Sequence, residues 1–170
     1  GGPQTTEAAI QVFLAAVNHP PSVNAPPQGP TTRTVLDAEY AINIGTEGEL
    51  SVEDPDIRET VYYSAGGLRI EGPLSVAVVV GSGRLSLTVR GGLSFSEGEG
   101  FSDTVLRFSG AIDDVNKALA TLSYKCSSST ECGTGTHSVM VTVDDNGFTG
   151  VGGPMASNVT FDVHVSLAGE

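Results

Sequence analysis

The chain has 170 residues, with Lys+Arg 8, Asp+Glu 20 and a formal net charge of −12. One ordinary domain accommodates this length and two large ones do not; so few cations argue against nucleic acid as a partner, because affinity for phosphates rests on exchanging cationic side chains for counterions. At 39% hydrophobic and 16% charged the composition is too apolar for disorder, while 22 Gly and 9 Pro interrupt it too often for long helices, and no apolar run approaches the roughly 20 residues of a membrane-spanning helix.

Gly1-Gly2-Pro3 opens the chain with no basic or apolar leader behind it, so the sequence reads as a piece excised from something longer. The same three residues recur as Gly152-Gly153-Pro154, an offset of 151 residues at which Ile10, Val12 and Leu14 correspond to Phe161, Val163 and Val165. Both ends therefore carry a turn followed by an alternating strand, and residues 1–17 are expected to be the last strand of a preceding repeat. The stretch from Asn18 to Pro27 holds Pro20, Pro21, Pro26 and Pro27 and reads as a stiff, extended connector. We place a linker at 18–30 and the domain proper at 31–170. A terminal strand separated from its own domain leaves backbone groups unpaired and is expected to dock on another copy.

Further along, Asp54-Pro55-Asp56 sets two carboxylates at i and i+2, on one side of an extended backbone, with the proline restricting the conformation between them. Val76–Val80 is an apolar run of strand length; Leu85, Leu87 and Val89, then Val139, Val141 and Val143, then Phe161, Val163, Val165 and Leu167 follow the two-residue period of half-buried strands. Gly81-Ser82-Gly83, Gly91-Gly92, Gly98-Glu99-Gly100 and Asn146-Gly147 supply turn chemistry between them. One segment breaks the period: Ile112, Val115, Leu119 and Leu122 follow helical spacing, with Asp113 placed to cap the first turn. The sum is an all-β antiparallel sandwich with one short helix.

Cys126 and Cys132 lack a second Cys or His pair to complete a tetrahedral metal site, which favours a local disulfide. Asn158-Val159-Thr160 is an acceptor for glycosylation, and the two features agree on an extracellular, cell-surface address. Catalytic motifs are not evident: no Gly-x-Ser-x-Gly elbow precedes a helix, His19, His137 and His164 stand in unrelated contexts, and the glycine turns are not followed by Lys or a helix start as a phosphate loop requires. With Trp 0 and Tyr 4, an obvious sugar-stacking platform is missing too, and no enzymatic activity is expected.

From Gly83 to Tyr124 the chain runs through Leu87-Thr88-Val89, Gly92-Leu93-Ser94-Phe95, Gly98-Glu99-Gly100, Leu106-Arg107-Phe108-Ser109-Gly110, Asp114-Val115-Asn116-Lys117-Ala118-Leu119 and Leu122-Ser123-Tyr124. This order closely resembles the cadherin-like, immunoglobulin-like repeats of large bacterial and protist surface adhesins, and the resemblance covers most of residues 35–167. It implies an immunoglobulin/cadherin-like antiparallel β-sandwich. It makes Val52-Glu53-Asp54-Pro55-Asp56 the acidic loop after an early strand and Asp144-Asp145-Asn146-Gly147 the loop after the penultimate one, both at the pole where the linker enters. Hard oxygens gathered there suit Ca²⁺, with Asp54, Asp56, Asp144 and Asp145 as ligands, Glu39 where the family has an acidic residue soon after the linker, and Asn18 at the linker itself. Two like charges about 5 Å apart repel by roughly 3 kcal/mol at an effective dielectric near 20, so an unfilled cluster should loosen the pole. A solvated Asp-Pro-Asp turn and a type I′ Asn-Gly turn account for the same residues without a metal. The chain departs from the family at Val17-Asn18-His19-Pro20-Pro21, where an imidazole replaces a carboxylate, at residues 58–72, which resemble an insertion, and in its cysteine loop.

The resemblance implies a structural, adhesive repeat of an extracellular stalk or filament, braced by Ca²⁺ and joined to neighbouring copies, in tandem or by strand donation between protomers. The alternative is a Ca²⁺-dependent, lectin-like module binding a cell-surface glycan. Neither reading involves nucleic acid or membrane insertion by this segment.

Overall fold

The computed structural model describes residues 1–2, 17–26, 33–35, 37–42, 50–57, 62–63, 69–70, 72–147 and 151–166. Short strands come first: β1 (Ser22–Asn24), β2 (Arg33–Val35), β3 (Glu39–Ala41), β4 (Ser51–Glu53), β5 (Tyr62–Tyr63) and β6 (Arg69–Ile70). They are followed by β7 (Leu74–Val80), β8 (Arg84–Leu87), β9 (Ser94–Glu97), β10 (Val105–Gly110), the helix α1 (Ile112–Leu119), β11 (Leu122–Lys125), β12 (Gly135–Asp144) and β13 (Ala156–Ser166). The all-β expectation with one short helix is borne out.

A six-stranded sheet has the order β2-β13-β12-β7-β10-β9, and a three-stranded sheet the order β3-β11-β8; β1 pairs with β4 and β5 with β6. Among the described strands, pairing is antiparallel except where β2 runs parallel to β13. The period-two runs explain this directly, since every second residue is buried along β7, β10 and the Val139–Val143 part of β12, and the residues between them are not. Val78, Phe108, Val141 and Phe161 from the larger sheet and Leu85, Leu122 and Tyr124 from the smaller one enter a single hydrophobic core, together with Ile112, Val115 and Leu119 of α1. Val89, the third member of its alternating run, lies beyond the end of β8 and is exposed.

The turn before β8 needs its glycine. Gly83 has φ +84°, and a Cβ there would meet the Tyr124 ring. Tyr124 is fully buried with no hydrogen-bond partner for its hydroxyl; burial, with the Glu131 charge adding, pushes its phenol up to about 12.

Helix α1 begins one residue before the expected cap. Ala111 is the N-cap and offers no side-chain hydrogen bond, because burying Ile112 brings it into the first turn. Asp113 and Asp114 therefore lie within that turn, where their charge complements the exposed amides, and Asp114 accepts from Lys117 Nζ at 2.9 Å. Asn116 acts across the fold: its Oδ1 accepts from Val52 N at 2.8 Å and its Nδ2 donates to Val52 O at 2.9 Å. A side-chain amide thereby pairs with β4 as another strand would.

Within the expected linker, Ser22–Asn24 is hydrogen-bonded to β4. Val17 makes an isolated parallel bridge to Val151. The strand expected within residues 4–16, most of the inserted segment at 58–72, and Leu167 lie outside the described residues. Cys126 and Cys132 form the expected disulfide, with Cα atoms 5.9 Å apart.

Two stability effects follow. Replacing Asn116 with Ala orphans both main-chain groups of Val52 and is expected to cost about 2 kcal/mol, read as a lower urea midpoint. Replacing both cysteines with Ser frees a short loop in the unfolded chain and should cost a further ~2 kcal/mol by the loop-entropy relation, measured in the same way.

Candidate functional site

The end of β12 and the segment before β1 meet in a set of buried polar side chains. Asn18 is 3% exposed, Asp54 7%, Asp56 6% and Asp145 0%, values at which an unpaired charge or amide is costly. Four of the six residues expected to surround a metal are thus buried, Asn18 bonded to Asp145 and Asp54 sharing a loop with Asp56.

Asp145 is the hub. Its Oδ1 accepts from Gly147 N at 2.7 Å and Met155 N at 2.8 Å, and its Oδ2 accepts from Asn18 Nδ2 at 2.7 Å. The same Asn18 amide donates to Gly153 O at 2.8 Å, while Asn18 N donates to Val151 O at 3.0 Å. The carboxylate thus closes the β12–β13 connection and holds the incoming chain to it.

Asp56 performs the neighbouring function. Its Oδ2 accepts from His19 N at 2.7 Å and lies 2.9 Å from His19 Nδ1. The His19 imidazole is therefore a partner of the acidic loop, with its ring largely exposed and Asp56 buried.

Asp54 organises its own loop, its Oδ1 accepting from Asp56 N at 2.9 Å and Ile57 N at 3.0 Å. Its Oδ2 is buried without a hydrogen-bond partner. Burial pushes this carboxyl above its ordinary value; the two N–H donors pull it back, and the negative charges of Asp145 and Asp56 add to the rise.

Two expected ligands lie elsewhere. Asp144 is the last residue of β12, immediately before Asp145, and alternation along the extended chain turns it to the opposite face; its Oδ1 accepts from Asn146 N at 2.7 Å, and its side chain lines a groove on the outer face of the six-stranded sheet. Glu39 opposes Lys125, next to the disulfide at the other end of β11, and accepts a hydrogen bond from Ser123 Oγ. Among the described residues no three His, Cys, Asp or Glu side chains form a group fit to hold a metal ion. The cluster nevertheless presents one feature that a hard cation satisfies, the lone Oδ2 of Asp54.

His19 and Asn116 carry parts of this site that the motifs did not assign. Asn116 fixes β4, which leads directly into Asp54, and its signal was present as an amide on the helical segment that no capping rule required.

The Asp54 carboxyl binds its proton more tightly in the folded chain than in the unfolded one, where its value is near 3.8. Its ionised form weakens the fold at neutral pH, and that penalty is relieved as pH falls through the raised value. In EDTA, Asp54→Asn should melt higher than the parent at pH 7, with the gain shrinking as pH falls toward the ordinary carboxylate range; a pH-independent difference would contradict the assignment. Compared with protein-family models, curated proteins and solved structures, the chain matches none.

Proposed function

We propose that this chain is one repeat of an extracellular adhesive stalk or filament, an immunoglobulin/cadherin-like antiparallel β-sandwich with a mechanical rather than a catalytic role. Its layers in this reading are the six-stranded sheet and the β3-β11-β8 sheet, which contribute to one core.

One observation carries the reading: the segment leading into the domain is fastened by consecutive residues, Asn18 to Asp145 and Gly153, and His19 to Asp56. A junction fixed at two loops passes orientation and force from one repeat to the next, as a free linker does not. The disulfide, the exposed Asn158 acceptor and the net charge of −12 support an extracellular setting. Like charge keeps adjacent stalks apart and draws divalent ions. Partners are neighbouring copies, joined in tandem or by a donated strand.

Ca²⁺ is the ion we assign to the junction. Asp54 Oδ2 is its side-chain ligand, with Asp56 beside it, and main-chain carbonyls and water complete the shell. With few side-chain ligands, affinity should fall near 10⁻³ M, roughly the range of extracellular modules. Ca²⁺ at tenfold its Kd should raise stability by about 1.4 kcal/mol and the melting temperature by roughly 4 °C over an EDTA control, and Asp54→Asn should abolish the rise. An unchanged melting point in millimolar Ca²⁺ removes the ion. For the stalk itself, two copies in tandem at the 151-residue period set by Gly1 and Gly152 should scatter X-rays as a rod of fixed angle; freely jointed scattering would overturn the mechanical reading.

A further inference from the structure

We infer that the outer face of the six-stranded sheet seats an asparagine-linked glycan attached at Asn158. This rests on the extracellular reading above and concerns a surface unrelated to the junction.

The acceptor and a groove are in register. Asn158 is directly opposite Thr142, Thr142 is opposite Ala77, and Ala77 is opposite Arg107, so these four residues form one row across β13, β12, β7 and β10. Side chains in such a row share a face. Thr142, Ala77 and Arg107 also line a groove of about 510 Å³ with Asp144 and Phe95. Small side chains along the row leave the space, and β7 lies two strands from Asn158, roughly 10 Å at ordinary strand spacing, within reach of the first sugars of a chain.

The acceptor itself is accessible. Asn158 and Thr160 are exposed and alternate with inward-facing Ser157, Val159 and Phe161.

The lining suits a sugar. Met140 lies opposite Thr160 and is 42% exposed, an apolar surface beside the acceptor for an N-acetyl group. Asp144 and Arg107 offer an acceptor and donors to ring hydroxyls; Arg107 Nε is held by Glu97 Oε2 at 2.8 Å, and the remaining guanidinium N–H groups are positioned by it. Ser94 and Ser96 of β9, both exposed, bound the far side with hydroxyls that can bond to a sugar.

The modification is a group transfer. A bond forms between Asn158 Nδ2 and the anomeric carbon of a polyprenyl-pyrophosphate-linked oligosaccharide, the anomeric C–O bond breaks, the amide loses one proton, and polyprenyl pyrophosphate departs, catalysed by the transferase of the secretory route.

Secretion of the 170-residue chain from a eukaryotic cell tests this. The expected product carries a glycan at Asn158 by intact mass and peptide mapping, and Thr160→Ala removes it. A loop control, Ser127→Asn in the Thr160→Ala background, creates an exposed Asn-Ser-Ser acceptor beside the disulfide. Peptide N-glycosidase should release sugar from native Asn158 about tenfold more slowly than from the control, corresponding to ~1.4 kcal/mol of sugar–groove contact, with equal rates after denaturation. Ala77→Gln, which intrudes on the groove from an outward-facing position, should remove the difference. A glycosylated control with bare Asn158 overturns the proposal and leaves the extracellular reading standing; two bare sites overturn both; equal native release rates refute the seat.

Discussion

The carboxylate of Asp145 has no contact with solvent, and donors from three separate stretches of chain converge on it. A buried charge is tolerated only when its lone pairs are answered. Gly147 and Met155 therefore bring the two sides of the β12–β13 connection together, and Asn18 brings the incoming segment against them. The end of the molecule is organised around satisfying that charge. Asp54, with one oxygen left over, is the exception within the same neighbourhood, and its raised carboxyl reflects the cost.

Support for this end arrives through a polar side chain as well as through the core. The β4 strand is only Ser51–Glu53, paired on one side by β1. Asn116 holds it on the helix side with a donor and an acceptor, which sets where the Asp54-Pro55-Asp56 loop leaves the sheet. His19 then meets Asp56 through both its main chain and its ring. Packing of α1, pairing of β4 and placement of the buried carboxylates are thus one connected arrangement.

The pleat divides the work of adjacent residues. Asp144 and Asp145 differ by one position and so occupy opposite faces: one opens onto the outer groove, the other closes the β12–β13 connection. Along β13, Asn158 faces out while Phe161 and Val163 enter the core.

Strands, turns and the helix were legible because they depend on near neighbours: Val139, Val141 and Val143 declare a buried face, and Ile112, Val115 and Leu119 a helical one. So was the cysteine bridge, whose partners are six residues apart. Of the expected metal ligands, Asn18 is bonded to Asp145 and Asp54 shares a buried loop with Asp56, whereas Asp144 and Glu39 lie elsewhere. Periodicity in the sequence determined which residues point inward from each strand. Which loops share an end, that His19 reaches Asp56 across 37 positions, and that Asn116 reaches Val52 across 64, only the tertiary structure decided, because such contacts follow from strand order and register, and no local pattern of side chains encodes those.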